Sequence, residues 1–150
     1  MIDFTVETST DRPADEVFAY VTDPAKLQTW QTNTVSSVLE TPGPMGVGSR
    51  LREVHRGPGG KEFPSLVEVE EYEPGRLFAL RVIEGTPVHA RMTFEPTPAG
   101  GTLVRFRAHG RLTGAMRLAE PLLGRMLRKQ FTEQCATLKQ VVEERPAAAA

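Results

Sequence analysis

Polar and apolar positions alternate with a period of two through most of the chain, and a helical period appears near its two ends. Ile2, Phe4, Val6 and Thr8 alternate with Asp3, Thr5 and Glu7, the pattern of a half-buried strand. Asp11-Arg12-Pro13 then opens a helix whose apolar face is Val17, Phe18 and Val21, with Ala14 at its edge. Asp23 is suited to cap a second, short helix, with Pro24 as its first residue and Trp30 near its end. From residue 34 onward the texture is that of strands, predicted at 34–40, 49–56, 62–72, 76–84, 88–95 and 102–110. Pro- and Gly-rich turns join them, too short for crossovers, so consecutive strands are expected to run antiparallel.

The last two strands allow a register to be written down. Pairing them so that residue numbers sum to 198 sets Ala90, Met92 and Phe94 against Ala108, Phe106 and Val104. Arg91 and Thr93 then meet Arg107 and Arg105, and His89 meets His109. Any even sum keeps this division of faces, and an odd sum scrambles it, because successive side chains point to opposite sides. Phe78, Leu80 and Val82 extend the apolar face, followed by Val67 and Val69, while Glu68, Glu70 and Arg81 share the other. A curved antiparallel sheet, apolar inside and charged outside, follows.

Between Arg125 and Glu144 the chain reads as one long amphipathic helix. Leu127, Gln130, Phe131, Gln134, Cys135, Leu138, Val141 and Val142 make its packing face. Upstream, Ala115, Met116, Ala119, Leu122 and Leu123 form a second apolar stripe, offset by roughly a quarter turn at 100° per residue. Pro121 and Gly124 lie between the two, and a kink or short break is expected there. The segment before it is expected to act as a movable cover.

Composition narrows the classes. The 150 residues, with a formal net charge of -1, suit a single domain over 1–145 and do not suggest a nucleic-acid binder. Residues 146–150 read as a low-complexity, disordered tail. The one cysteine, Cys135, sits on the helix's apolar face, which excludes an internal disulfide and suggests a buried thiol. No run approaches the ~20 apolar residues of a membrane span, and nothing resembles a basic-then-apolar leader, so a cytoplasmic location is expected. The three histidines lack metal-ligand spacing, and no phosphate-cradling or nucleophile motif occurs. No metal and no cofactor is therefore expected. Arg91, Arg105, Arg107 and Arg111 on the outer sheet, and Arg125, Arg128 and Lys129 on the helix exterior, read as solvated faces. An acidic partner is the alternative.

The element order, seven strands with two small helices after the first and one long helix at the end, is that of an α+β helix-grip fold. Local residues agree: Val17-Phe18-Ala19-Tyr20-Val21-Thr22-Asp23-Pro24 followed by Trp30, then Gly46-Val47-Gly48-Ser49-Arg50, Glu71-Tyr72-Glu73-Pro74 and Glu120-Pro121-Leu122-Leu123. From Ile2 to Glu144 the chain resembles the polyketide cyclase/dehydrase branch of the START-like (SRPBCC, Bet v 1-like) superfamily. The resemblance implies a deep cavity between sheet and long helix for a lipid, a polyketide or another hydrophobic small molecule. It implies neither one chemistry nor an oligomeric state. Candidate lining residues are Trp30, Leu51, Phe63, Phe78, Leu80, Met92, Phe94 and Phe106, with Met116, Leu123, Met126, Leu127 and Phe131 from the C-terminal segment.

The strand 49–56 carries the candidate chemistry. If Leu51 points inward, Glu53 and His55 follow it; if Val54 does, Arg50 and Arg52 follow instead. The first is favoured, because arginine cannot shed its charge to enter an apolar cavity. A carboxylate and an imidazole on one face could pass a proton to a bound enol or carbonyl, or could be a hydrogen-bonded pair without chemistry. Three functions remain: a carrier of a hydrophobic molecule, a cyclase or aromatase using Glu53 and His55, and an interaction module using the basic strips.

Overall fold

A computed structural model describes residues 1–144, so the expected disorder of 146–150 lies outside the described residues. Strand β1 (Ile2–Thr10) leads into α1 (Ala14–Val21), and a 3-10 turn (Pro24–Lys26) runs on into the short α2 (Leu27–Trp30). Then come β2 (Thr34–Leu39), β3 (Arg50–Arg56), β4 (Glu62–Glu73), β5 (Leu77–Glu84), β6 (Val88–Pro96) and β7 (Thr102–Gly110). A 3-10 segment (Gly114–Ala119) passes directly into α3 (Glu120–Glu144). The strands form one antiparallel sheet in the order β1-β7-β6-β5-β4-β3-β2, so the first strand closes against the last. This is the helix-grip architecture expected from the pattern.

The registers follow the apolar alternation. Met92 pairs with Phe106, Phe94 with Val104 and Ala90 with Ala108, while His89 faces His109 on the other side. On that outer side the two imidazoles stack with centroids 4.8 Å apart, and Glu70 binds His89 at 3.0 Å. Asp23 caps the 3-10 turn as expected, accepting a hydrogen bond from the Ala25 amide. Helix α1 is fastened to the sheet through Phe18, whose ring meets Phe94, Tyr72 and Phe78 edge-on at 5.3, 5.4 and 6.3 Å.

Helix α3 packs along the β1 end of the sheet. Phe131 lies 4.4 Å from Phe106 and 5.4 Å from Phe4, ring centre to ring centre. Gln134, Cys135, Leu138 and Val142 are buried behind it. Arg12 reaches back to the carbonyls of Val142 and Glu143 at 3.2 and 3.1 Å, satisfying acceptors that a helix C-terminus leaves open.

The change of helical phase occurs as a 3-10 to α transition just before Pro121. Pro121 thereby falls in the first turn of α3, where its missing N–H breaks no intrahelical bond. Of the earlier stripe only Leu123 packs against the core. Met116, Leu118 and Leu122 are exposed, and Leu123 is only half-buried.

Candidate functional site

The inner face of the sheet is not filled uniformly. Toward β1 and β7 it is covered by α3. Toward β3, β5 and β6 it is covered by the end of α1, the Pro24 turn, α2 and Met45 from the β2–β3 loop, and a cavity of about 60 Å³ remains there. Leu51, Phe78, Leu80, Met92 and Phe106 form its floor, and Leu27 and Trp30 its roof. The cavity is thus apolar for most of its wall, with Gln31, Ser37 and Glu53 gathered as its polar part.

Those polar groups are tied together through the β2–β3 ladder. Ser37 sits opposite Glu53, and Thr34 opposite His55. Leu51 and Glu53 are buried while Arg50 and Arg52 are exposed, so β3 presents the face favoured by the cost of burying arginine. The Ser37 hydroxyl donates to Glu53 Oε2 at 3.1 Å, and His55 Nε2 lies 3.2 Å from Glu53 Oε1. On the far side of the ring, His55 Nδ1 lies 3.2 Å from the Thr34 hydroxyl, which donates to Gln31 Oε1 at 3.2 Å. The Thr34 hydroxyl thus links the Gln31 side-chain carbonyl to the imidazole of His55. The cavity therefore carries a carboxyl whose two oxygens are both engaged, one by the Ser37 hydroxyl and one by a half-buried imidazole.

Trp30 adds a second polar feature. It is 1% exposed, and its indole Nε1 has no hydrogen-bond partner among the described residues. A buried N–H without an acceptor is costly, roughly 1–3 kcal/mol.

Of the residues singled out from the sequence, Trp30, Leu51, Glu53, Phe78, Leu80, Met92 and Phe106 line the cavity, and His55 joins it through Glu53. The others do not. Phe94 is buried against Phe18 in solid packing. Phe63, although paired with His55 across β3 and β4, is exposed, because its ring leans over Gly57. A Cβ at Gly57 would lie 2.4 Å from that ring, so glycine leaves the room it occupies. Lys61 Nζ lies 5.7 Å from the same ring. Met116 and Met126 are exposed, since the offset of the upstream stripe turns them away from the sheet. Leu123, Leu127 and Phe131 are half-buried and pack on the core without lining the cavity. The expected cavity against α3 is corrected accordingly: bulky contacts such as Phe131 on Phe106 close that interface, and the space lies under α2.

Sequence reasoning missed Gln31, Ser37, Met45 and Ala90, together with Val21, Thr22, Pro24 and Leu27 from the cover. Met45 carried a signal, as the one large apolar residue in a Pro/Gly loop. Ser37 and Gln31 carried none, because their positions depend on a bulge in β2 and on how α2 ends.

On the outer face of the sheet many of the charges are paired. Glu68 bridges Arg81 and Arg50 at 2.8 and 3.1 Å, and these contacts hold its carboxyl below the ordinary carboxylate range. Arg107 does the same to Asp3. Burial pushes the Cys135 thiol up to about 12. No helix among the described residues is long and apolar enough to cross a membrane.

The crystal structure of TTHA0849 from Thermus thermophilus superposes with a TM-score of 0.78 at 19% identity, over 93% of this chain and 96% of that one. The di-domain ARO/CYC BexL from the BE-7585A biosynthetic pathway gives 0.80 at 21% identity, over 95% of this chain and 47% of that one. Ara h 8.0201 gives 0.69 at 13% identity, over 95% and 98%. At such identities the likeness establishes the fold alone. No curated protein matches the chain. The family model described as polyketide cyclase/dehydrase and lipid transport matches residues 1–143. With α3 along one end of an open antiparallel sheet and a cavity at the other, the chain belongs to that family.

Proposed function

We propose that the protein binds a hydrophobic small molecule that carries an oxygen at one end, with the apolar body against Leu51, Leu80 and Met92 and the oxygen toward Glu53 and Trp30. The observation that carries this reading is the cavity itself, apolar in most of its wall and polar at one place. A buried carboxyl and an indole N–H without an acceptor are groups that a carbonyl or hydroxyl would complete. At about 60 Å³ the space suits a few waters, at roughly 10–15 Å³ each. A polyketide or lipid therefore enters by displacing α2 and the loop that carries Met45.

The second reading is catalysis of a cyclase or aromatase type, favoured by the 3.2 Å contact between Glu53 and His55 at the cavity. In it, Glu53 exchanges a proton with a ligand enol or carbonyl, and His55, held in place by Thr34, restores it.

Native mass spectrometry of the purified protein, with titration of the fluorescent probe 1-anilinonaphthalene-8-sulfonate, tests the binding reading. A retained apolar ligand or saturable probe binding is expected, and Ala90→Leu, which fills the cavity, should weaken probe binding by at least about tenfold. Unchanged affinity in that variant would refute it. With a turnover assay, Glu53→Gln and His55→Gln should each lower the rate about 10²-fold or more if the site is catalytic. Normal turnover in both leaves the carrier reading alone.

A further inference from the structure

The C-terminal segment exposes apolar side chains where a helix normally shows polar ones. Leu118 is 89% exposed and Leu122 62%, with Met116 at 53% and Met126 at 44%. Leu122 and Met126 are one turn apart on α3. At 100° per residue they sit opposite the buried row of Gln134, Cys135, Leu138 and Val142. They are thus at the pole of the helix that points away from the protein, not at the margin of its packing face.

Basic groups surround them. Arg117, Arg125, Arg128 and Lys129 are exposed on the same stretch. None of the four forms a salt bridge among the described residues, and the acid within the stretch, Glu120, is buried. The outer sheet behaves differently. There Arg105 reaches Glu7 and Glu95, Arg52 reaches Glu40 and Glu84, and Arg107 reaches Asp3. The cations of the 3-10 segment and early α3 have no such internal partners.

We propose that this face, the 3-10 segment 114–119 with the first three turns of α3, docks on the surface of an anionic lipid bilayer. Cations that form no salt bridge among the described residues complement phosphate and carboxylate headgroups, and they do so over the area where the apolar tips stand out. The shape favours lipid over a protein groove. Leu118 and Leu122 project singly, and separate projections enter a fluid acyl layer without needing matched pockets. A nucleic acid would use the cations but offer nothing to the leucines. The face is separate from the cavity, so this inference stands or falls independently of ligand binding.

Flotation of the full chain with phosphatidylcholine vesicles, and with vesicles of equal parts phosphatidylcholine and phosphatidylserine, is the test. Binding to the second and not the first is expected, weakened by added salt. The double variants Leu118→Ser/Met126→Ser and Arg125→Gln/Lys129→Gln should each reduce it at least about tenfold, with thermal midpoints unchanged because all four side chains are exposed. No flotation, or flotation equal in the variants, overturns the proposal. Sedimentation velocity supplies the other decisive result. A concentration-dependent dimer that Leu118→Ser/Met126→Ser dissolves would assign the face to a second copy of the chain and overturn it as well.

Discussion

The two ends of the sheet's inner face are built from the same kinds of residue and end in different states. At the β1–β7 end, Phe4, Phe106 and Phe131 interlock and Leu138 is completely buried under α3. At the β3–β6 end, Leu51, Phe78 and Met92 are as apolar and nearly as buried, yet a cavity remains above them. The difference lies in the cover. A 25-residue helix lays a continuous apolar stripe on one end. Four residues of α2, a 3-10 turn and one loop methionine must cover the other. A short, irregular cover leaves space, so the candidate site sits where the packing is least complete.

Matched truncations test this difference most strongly. Leu138→Ala should cost about 4–5 kcal/mol, and Leu51→Ala, whose side chain already borders empty space, about 2 kcal/mol. Urea denaturation measures both, and equal losses would erase the distinction. Hydrogen exchange sharpens it along the C-terminal segment. Amides of the 3-10 segment 114–119 should exchange about 10²-fold faster than those of residues 131–141, because the former bury almost nothing. Comparable protection would mean that the exposed stripe is held in place. The Cys135 thiol, raised to about 12 by burial at the packed end, should resist iodoacetamide at neutral pH until the protein unfolds. Rapid labelling of the native protein would show that α3 opens easily.

The smallest effect concerns pH. Glu68 and Asp3 are held low by Arg81 with Arg50 and by Arg107. A carboxylate whose folded value is depressed stabilises the fold fully above its unfolded value, about 4. That contribution is lost as pH falls through the folded value. The urea midpoint should therefore be insensitive to these groups at neutral pH and decline in acid, and Glu68→Gln should flatten part of the decline. Since the pairs are exposed, salt should shrink the effect.

How far the sequence could be read differs by residue. The β6–β7 register was legible because a slip of one residue would have moved Met92, Phe94, Val104 and Phe106 to water. The inward face of β3 was legible because the alternative buried Arg50 and Arg52. Phe63 was not, since nothing local says that a strand-end aromatic will lean over Gly57 instead of following its neighbours inward. Met116 and Met126 read as cavity residues because an apolar stripe beside a helix ordinarily packs. Its offset from the main stripe is visible in the sequence, and that offset is what turns it outward.

The sequence by itself determined the strands, their antiparallel order, the faces of the sheet and the long final helix. These follow from periodicity and turn chemistry, which act over a few residues. The position of the cavity, the chain from Gln31 through Thr34 and His55 to Glu53, and the exposure of Leu118 and Leu122 were decided only by tertiary structure. Each depends on the volume left between elements far apart in the chain. That volume is set by how a four-residue helix and a loop fit over a curved sheet, which no local pattern encodes.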